Sequence, residues 1–375
     1  MIYFDNAATS LPKPPGVGQA VLEALSSFGG AGRGSHPAAL NASRCIYQAR
    51  LAVAELLGGD VDRTVFTQNA TESLNIAIGG LFTPKDHVIT TVLEHNSVLR
   101  PLYRLREQGM GLSVVGLGPD GGLDYDGFAR SLRGNTKAVV CTHASNLTGY
   151  LLDIGWISAF CKAHGLLLIV DAAQTAGVIP IHQQGMGIDV LCFTGHKGLM
   201  GPQGTGGLCI RDKLSIPPLK VGGSGMHSYS ETQPAQLPDS LEAGTLNGHG
   251  IAGLLCGIRY IGEVGIDVIY RHEMDLAAHF LDGISQIPGV QVYRRAGHRY
   301  VPIVALNIRD LDSGEVAARL ADEYGICVRP GAHCAPLAHI AGGTKAQGAV
   351  RFSFSSFNTA EEIQTAIQAI LEISQ

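Results

Sequence analysis

The 375-residue chain lacks features that mark several classes of protein. Charged residues make up 16% of it without long charge blocks, and the formal net charge of −5 argues against a nucleic-acid backbone as the main partner. No window holds an uncharged apolar segment of membrane length. The N-terminus, MIYFDNAATS, has neither the basic nor the apolar region of a secretory signal. We therefore expect a cytoplasmic protein with no membrane or nucleic-acid partner.

The eight cysteines include no CxxC pair, and most lie inside apolar runs. This distribution is typical of a reduced protein with buried thiols, and it argues against a disulfide framework or a zinc site. Cys192 and Cys209, inside strand-like runs, are predicted core residues. Cys334 differs, because it lies in the polar, turn-rich stretch RPGAHCAP. We predict no metal site in this chain.

An acid and a lysine each follow a short apolar run in the segment 166–210. Asp171 ends the run LLLIV, and Lys197 follows the run VLCF, 197 − 171 = 26 residues later. Uninterrupted apolar runs are typical of strands buried on both faces of a parallel sheet, whose carboxyl ends border the ligand crevice. Both side chains can therefore point into one pocket. A lysine that forms a Schiff base and an acid that pairs with a pyridinium nitrogen are what pyridoxal phosphate (PLP) chemistry requires.

Two further predicted strands deliver polar residues to the same edge. The strand Thr64–Thr67 leads through a small polar turn into a helix that opens with Thr71, a geometry that receives phosphate. Thr71 could equally be a plain helix N-cap. The strand His87–Thr91 delivers His95, which either caps a helix or stacks on an aromatic cofactor; taken alone, this residue favours the cap.

The sequence pattern changes near residue 240, where the alternation of predicted strands and helices weakens. This change predicts a large α/β domain over residues 16–245 and a smaller α+β domain built from residues 1–15 and 246–375. In the smaller domain we predict one long helical region from about Ile251 to Phe280. The alternating stretch Val350–Ser355 predicts a strand of a half-buried sheet, and Thr359–Glu362 predicts a capping box for the last helix.

Nine stretches, in order, resemble the cysteine desulfurase and selenocysteine lyase family, the class V aminotransferase-like branch of the fold-type I PLP enzymes. They are DNAAT, TQNATESLN, EHNS, SNLTG, DAAQ, TGHKGLMGPQGTG, EAGTLN, RPGAHC and RFSFSSFNT. The resemblance covers essentially the whole chain. It implies a fold-type I α/β architecture, with a mainly parallel sheet flanked by helices in the large domain and the catalytic cysteine loop in the small one.

The resemblance assigns most of the cofactor site by matching positions. Lys197 would carry the Schiff base with PLP, Asp171 would keep the pyridinium nitrogen protonated, His95 would stack on the ring and Gln174 would contact its phenolic oxygen. The residues implied to hold the phosphate are Ala70, Thr71, Thr194 and His196. A threonine from the partner subunit also reaches the phosphate in this family, and Thr245 matches it. The resemblance therefore implies a homodimer.

The resemblance also implies a reaction, the conversion of L-cysteine to L-alanine with transfer of sulfur to Cys334 as a persulfide. Asn146 and Arg351 would hold the substrate carboxylate, because a guanidinium fork fits a carboxylate. The thiolate of Cys334 is the reactive form, and Arg329 and His333 lie close enough in sequence to favour it. Without the resemblance, Arg351 would be interpreted as a surface strand residue in an ion pair, and Cys334 as an inert loop thiol.

Cys334 and Arg351 lie 351 − 334 = 17 residues apart, which resembles the short-loop, Suf-type group whose members depend on a sulfur-acceptor protein. Short-loop members commonly have two histidines before the cysteine, but here the first is Ala332. Leu246-Asn247 also replaces the more usual Pro-Asn. These departures keep L-selenocysteine, or another thiol-bearing amino acid, open as substrate. A selenocysteine lyase or other carbon–sulfur lyase, an aminotransferase and a non-catalytic scaffold are the alternatives; the intact Lys197 and Asp171 argue against the scaffold.

Overall fold

The computed structural model describes residues 1–32, 34–226 and 228–375. The strands of the described chain are β1 (Ile2–Tyr3), β2 (Thr64–Thr67), β3 (His87–Thr91), β4 (Gly111–Val115), β5 (Thr136–Thr142), β6 (Leu167–Asp171), β7 (Val190–Thr194), β8 (Gly206–Ile210), β9 (Val290–Val292), β10 (Ile303–Ile308), β11 (Ile326–Cys327) and β12 (Val350–Ser353). The helices are α1 (Val17–Ser27), α2 (Pro37–Leu57), α3 (Ala70–Leu81), α4 (Asn96–Glu107), α5 (Asp126–Arg130), α6 (Ile154–His164), α7 (Gly248–Val264), α8 (Ile266–Ile284), α9 (Ser313–Tyr324), α10 (Pro336–Ala341) and α11 (Ala360–Ile373).

The largest sheet has seven strands in the order β2-β8-β7-β6-β5-β3-β4. β8 runs antiparallel to both of its neighbours, and the other pairs are parallel. The predicted α/β fold with a mainly parallel sheet is therefore confirmed. Because the strands are parallel, the carboxyl ends of β3, β5, β6 and β7 meet at one edge of the sheet.

Helices cover both faces of this sheet, which explains the uninterrupted apolar runs in its strands. Alternate residues of β5 show the division: Val139 and Cys141 pack with α2, α6 and α7, whereas Ala138 and Val140 pack with α3 and α4. Cys192 and Cys209 are fully buried, as the sequence predicted.

A second, antiparallel sheet has the order β12-β10-β9, and β1 pairs with β11 beside it. All four residues of β12 are buried, so the prediction of a half-buried strand was wrong. Phe352 joins a core with α8 and α11, while the amide of Ser353 donates to the carbonyl of Phe4, which brings the N-terminal segment against the same strand. The alternation of polar and apolar residues reflects two buried environments, one of which borders the site described below.

The predicted long helix over 251–280 is two helices, α7 and α8, separated at Gly265. This glycine has φ +91°, which a residue with a side chain rarely adopts, so the backbone turns there. The capping box is confirmed, since the Glu362 amide donates to Thr359 Oγ1 and the Thr359 amide donates to Glu362 Oε2. The domain division at residues 245 and 246 stays a prediction; α7, just beyond it, packs against α1 and α2.

Within the described ranges, no helix has both the length and the hydropathy needed to cross a bilayer.

Gly206 holds β8 close to the turn that precedes α3. A Cβ atom at this position would lie 2.7 Å from Asn69 Cα and 2.9 Å from the Phe193 carbonyl oxygen, and backbone atoms cannot rotate away. We expect Gly206→Ala to lower the free energy of unfolding by about 1–3 kcal/mol through overpacking. Urea titration of purified protein measures this change.

Gly262→Ala is the matched control, because Gly262 lies in α7 with nothing within 4 Å of an added Cβ. There the free energy of unfolding should rise by about 0.5–1 kcal/mol, since alanine favours a helix more than glycine does. Equal effects at the two positions would contradict the contact argument.

Candidate active site

The edge where the parallel strands end borders a cavity of about 220 Å³. All of the predicted site residues line it except Thr245: they are Ala70, Thr71, His95, Asn146, Asp171, Gln174, Thr194, His196, Lys197, Arg329, His333, Cys334 and Arg351. Thr245 lines a different cavity, together with Arg50 and Glu242. The contact of Thr245 with the phosphate site of a partner subunit stays a prediction.

Asp171 and Lys197 reach the cavity from neighbouring strands, as expected. Asp171 ends β6 and is 4% exposed, and its Oδ1 accepts a hydrogen bond of 3.0 Å from the Ala173 amide. Burial raises the pKa of Asp171, while that hydrogen bond and the charge of Lys197 oppose the rise. Burial lowers the pKa of Lys197 to about 8, an effect that Arg351 strengthens and Asp171 opposes. The lysine is therefore much closer to its neutral, nucleophilic form at neutral pH than an ordinary lysine.

The turn that carries Lys197 is held by the N-terminal segment. The carbonyl oxygen of His196 accepts hydrogen bonds from the Ser10 amide (2.9 Å), Thr9 Oγ1 (3.1 Å) and Lys13 Nζ (3.1 Å). The sequence analysis missed Ser10 and Lys13. They stand beside the DNAAT stretch, but no local pattern shows that this segment crosses to a turn almost two hundred residues away.

Residues around the N-terminus of α3 form a site suited to an anion. Asn69, not Thr71, is the N-cap, because its side chain accepts from the Glu72 amide at 3.0 Å. The backbone N–H groups of Ala70 and Thr71 thus remain at the open end of the helix, which favours negative charge. Thr71 Oγ1 is hydrogen-bonded to Ser97 Oγ at 2.8 Å, a partner that the sequence analysis missed although it lies in the EHNS stretch.

His196, which lines the same cavity, supports this interpretation. Its Nδ1 is buried and has no hydrogen-bond partner among the described residues. A buried polar atom without a partner is costly, so a bound group that reaches it would stabilise the arrangement. The cavity therefore combines an anion site, a buried acid and a nucleophilic lysine, and this set fits PLP.

His95 combines the two roles that the sequence left open. Its Nδ1 accepts from the Ser97 amide at 3.0 Å and caps α4, while the ring also lines the cavity. Burial lowers the pKa of His95 to about 4, and the nearby charges of Lys197 and Arg351 add to the effect. The ring is neutral at pH 7, with the proton on Nε2, and stacking on a cofactor ring stays a prediction.

Arg351 lines the cavity and is buried, with 2% of its surface exposed. It forms an ion pair of 2.8 Å with Asp5 and donates a hydrogen bond of 2.8 Å to the Asn146 carbonyl oxygen. Without the resemblance, Arg351 would be interpreted as a surface strand residue in an ion pair. The ion pair is present, but the surface location is wrong. The buried Nε has no partner among the described residues, so a donor remains for a substrate carboxylate.

Cys334 occupies a constrained turn at the cavity. All eight cysteines lie in the described part of the chain, and Cys334 alone is exposed. His333 (φ 50°) and Cys334 (φ 54°) both have left-handed backbone conformations, which are uncommon for residues with side chains. Two hydrogen bonds of 2.7 Å hold the turn, from Asn146 Nδ2 to the His333 carbonyl and from the Asn96 amide to the Cys334 carbonyl.

The electrostatic role suggested for His333 needs correction. Burial lowers the pKa of His333 to about 3, with a further contribution from Arg351, so the ring carries no charge at pH 7. It cannot favour a Cys334 thiolate as a cation. Arg329 and Arg351 line the same cavity and are positively charged. Among the described residues, no cluster of three or more histidine, cysteine or acidic side chains could hold a metal ion.

Comparison with known proteins places this geometry in a family. Residues 2–365 match the aminotransferase class-V family. The chain is 36% identical to a probable cysteine desulfurase of Methanothermobacter thermautotrophicus, over 100% of this chain and 94% of the relative. The apo structure of a cysteine desulfurase from Thermococcus onnurineus superposes with a TM-score of 0.94 at 34% identity, and the alignment covers 100% of this chain and 94% of that one.

The cysteine desulfurase CsdA of Escherichia coli, in an S-sulfonic acid form, aligns with a TM-score of 0.88 at 29% identity over 99% of this chain and 94% of that one. The predicted family is thus confirmed, whereas the Suf-type subgroup stays a prediction. The chain that brings Lys197 and Cys334 into one cavity belongs to the aminotransferase class-V family, and its relatives include cysteine desulfurases.

Proposed function

We propose that the protein is a PLP-dependent cysteine desulfurase that converts L-cysteine to L-alanine and accepts the sulfur on Cys334 as a persulfide. The observation that carries this proposal is the presence of an exposed thiol, Cys334, in the same cavity as Lys197, Asp171 and Arg351. An aminotransferase would have no use for such a thiol. The relatives named cysteine desulfurase favour cysteine over selenocysteine as substrate.

The residues that would hold PLP extend across the cavity. Lys197 supplies the amine for the covalent bond, Asp171 the acid for the ring nitrogen, and the start of α3 the N–H groups for the phosphate. Thr194, His196 and Gln174 complete the set, and His95 offers a neutral ring for stacking. When bound, PLP supplies an electron sink for bonds broken at the substrate's α-carbon.

Arg351 and Asn146 orient the substrate by its carboxylate. Asp5 holds the guanidinium at 2.8 Å, so its position is fixed before the substrate arrives. Lys197, with a pKa lowered to about 8, takes the α-proton as base and returns a proton as acid.

Cys334 performs the sulfur step as a thiolate. Its sulfur forms a bond to the substrate sulfur while the substrate's carbon–sulfur bond breaks. The electron pair of that bond remains with the carbon, which takes up a proton and becomes the methyl group of alanine. The proton given up by the Cys334 thiol balances the one gained by carbon, and the enzyme retains a persulfide.

The proposed function also includes a homodimer and a sulfur-acceptor protein. Thr245 lies outside the cavity of its own chain, which supports a homodimer in which it serves the partner's phosphate site. The compact segment between Cys334 and Arg351, with α10 in its middle, supports a short-loop enzyme that passes sulfur to an acceptor protein in the cytoplasm.

Cys334→Ala tests the function. We expect the wild type to release alanine from L-cysteine and the variant to release none, because no other exposed thiol stands at the cavity. Alanine is measured from L-cysteine and L-selenocysteine in parallel, and Cys256→Ala, at a half-buried thiol outside the cavity, is the control.

Retention of L-cysteine activity by Cys334→Ala would contradict the persulfide route. Strong preference for L-selenocysteine, also kept by the variant, would instead identify a selenocysteine lyase.

Arg351→Lys tests substrate binding. Lysine keeps the positive charge beside Asp5 but loses the guanidinium fork. We expect KM for L-cysteine to rise by about 10–100-fold, as follows from about 1.5–3 kcal/mol for hydrogen bonds to a charged group. Steady-state kinetics measure the change, with Arg259→Lys on the exposed face of α7 as control. An unchanged KM would exclude Arg351 from carboxylate binding.

The lowered pKa of Lys197 predicts how cofactor loading depends on pH. Only the unprotonated amine reacts, so the rate at which PLP bound to the apoprotein develops its visible absorbance should rise with pH, reach half of its maximum near pH 8 and level off above that. Nα-acetyl-lysine, with an amine pKa of about 10.4, should show a rate that keeps rising to higher pH. A half-maximal rate near pH 10 in the protein, or the same band in Lys197→Ala, would refute the assignment.

A further inference from the structure

Two histidine rings near Cys334 stack on each other. His333 and His339 have ring centroids 5.8 Å apart and an interplanar angle of 12°. Both side chains are buried, with 5% and 3% of their surface exposed. His339 lies in α10, which begins two residues after Cys334, so the chain folds back to place the second ring against the first.

His333 is bound on its other side as well. Its Nε2 lies 3.0 Å from the Arg329 carbonyl oxygen, which can only accept, so Nε2 carries the proton. Asn146 holds the His333 carbonyl, as described above. The ring and the backbone of His333 are therefore fixed in a conformation, φ 50°, that the local chain does not favour.

His339 is anchored to the segment that follows α10. Its Nδ1 is hydrogen-bonded to Thr344 Oγ1 at 2.7 Å. The Thr344 amide donates to the His339 carbonyl at 2.9 Å, and the Gly348 amide donates to the Thr344 carbonyl at 2.8 Å. These hydrogen bonds thus reach Gly348, two residues before β12, the strand that carries Arg351.

We propose that His339 is a positioning residue for Cys334: stacked on His333 and hydrogen-bonded to Thr344, it holds the strained turn 333–334 so that the thiol faces the cavity. This inference rests on the proposed desulfurase function and adds a residue to it. The first histidine of the pair expected before the cysteine is Ala332 here, and the second imidazole near the nucleophile comes from α10 instead.

Electrostatics agrees with a positioning role. Burial lowers the pKa of both His333 and His339, so the rings are neutral and stack without charge repulsion. His339 is absent from the residues that line the cavity, so it acts through His333 and the turn. A turn held in an unfavourable backbone conformation persists only while its surroundings enforce it.

Four variants separate the stacking of His339 on His333 from its hydrogen bond to Thr344. His339→Ala removes both; His339→Phe keeps a ring for stacking, His339→Asn keeps a polar group near the Nδ1 position, and Thr344→Val removes only the hydrogen bond. The control is His279→Ala, at an exposed histidine of α8. The readouts on holoenzyme are kcat and KM for alanine release, and the alkylation rate of Cys334 by iodoacetamide, followed by mass spectrometry of its peptide.

For His339→Ala we expect kcat to fall by about tenfold or more while KM stays near the wild-type value, since a displaced nucleophile loses the geometry of attack but not the carboxylate site. Alkylation of Cys334 should become several-fold faster, because the released turn lets the already exposed thiol move away from the cavity wall, so that the reagent reaches it from more directions. His339→Phe and His339→Asn should each recover part of kcat, and Thr344→Val should fall between them and the wild type.

If His339 had only a structural role, its substitution would lower the unfolding midpoint and leave kcat and the alkylation rate unchanged in the folded variants. That result would overturn the inference. Wild-type rates in both Thr344→Val and His339→Phe would also overturn it, even if His339→Ala does not fold. If the wild type releases no alanine, the proposed function fails, yet the alkylation rates still decide whether His339 holds the turn.

Discussion

The ion pair between Asp5 and Arg351 holds the N-terminal segment against the antiparallel sheet at the site. Arg351 belongs to β12 of the small sheet, and Asp5 to the N-terminal segment that bridges to the same strand. A few residues later, Thr9, Ser10 and Lys13 of that segment donate hydrogen bonds to the His196 carbonyl, beside Lys197. One stretch of about ten residues therefore fixes the lysine and the arginine relative to each other. Because both pair members are largely buried, the removal of either would leave an uncompensated charge.

Burial, reinforced by neighbouring positive charges, determines which side chains of the cavity are protonated. Lys197, Arg329 and Arg351 share it with three histidines, His95, His196 and His333. Burial and these neighbours keep His95 and His333 neutral and bring the pKa of Lys197 to about 8. A cavity lined by two guanidinium groups and an open helix end suits a phosphate at one side and a carboxylate at the other. The neutral rings are then available for stacking and packing, which a cationic imidazole beside an arginine would oppose.

Much of the fold could be predicted because the relevant signals are local. Uninterrupted apolar runs indicated the central strands, and the acid and the lysine that follow them indicated the edge where the site lies. The errors have equally specific causes. The strand β12 alternates because it faces two buried environments, and hydropathy alone cannot distinguish a buried polar face from a solvated one. The predicted long helix is broken by the conformation of Gly265, and Asn69 rather than Thr71 caps α3 because the cap is set by backbone geometry.

The sequence by itself determined which chemical groups are present and in which order they reach the sheet edge, since residue type and strand direction are sufficient for that. It also determined that Cys334 differs from the other thiols, because a polar, turn-rich stretch is buried less readily than an apolar run. The tertiary structure decided the pairing of Asp5 with Arg351, 346 residues apart, and the stacking of His333 on His339. It decided the charge of His333 as well. A pKa depends on burial and on neighbouring charges, and both arise only when distant parts of the chain meet.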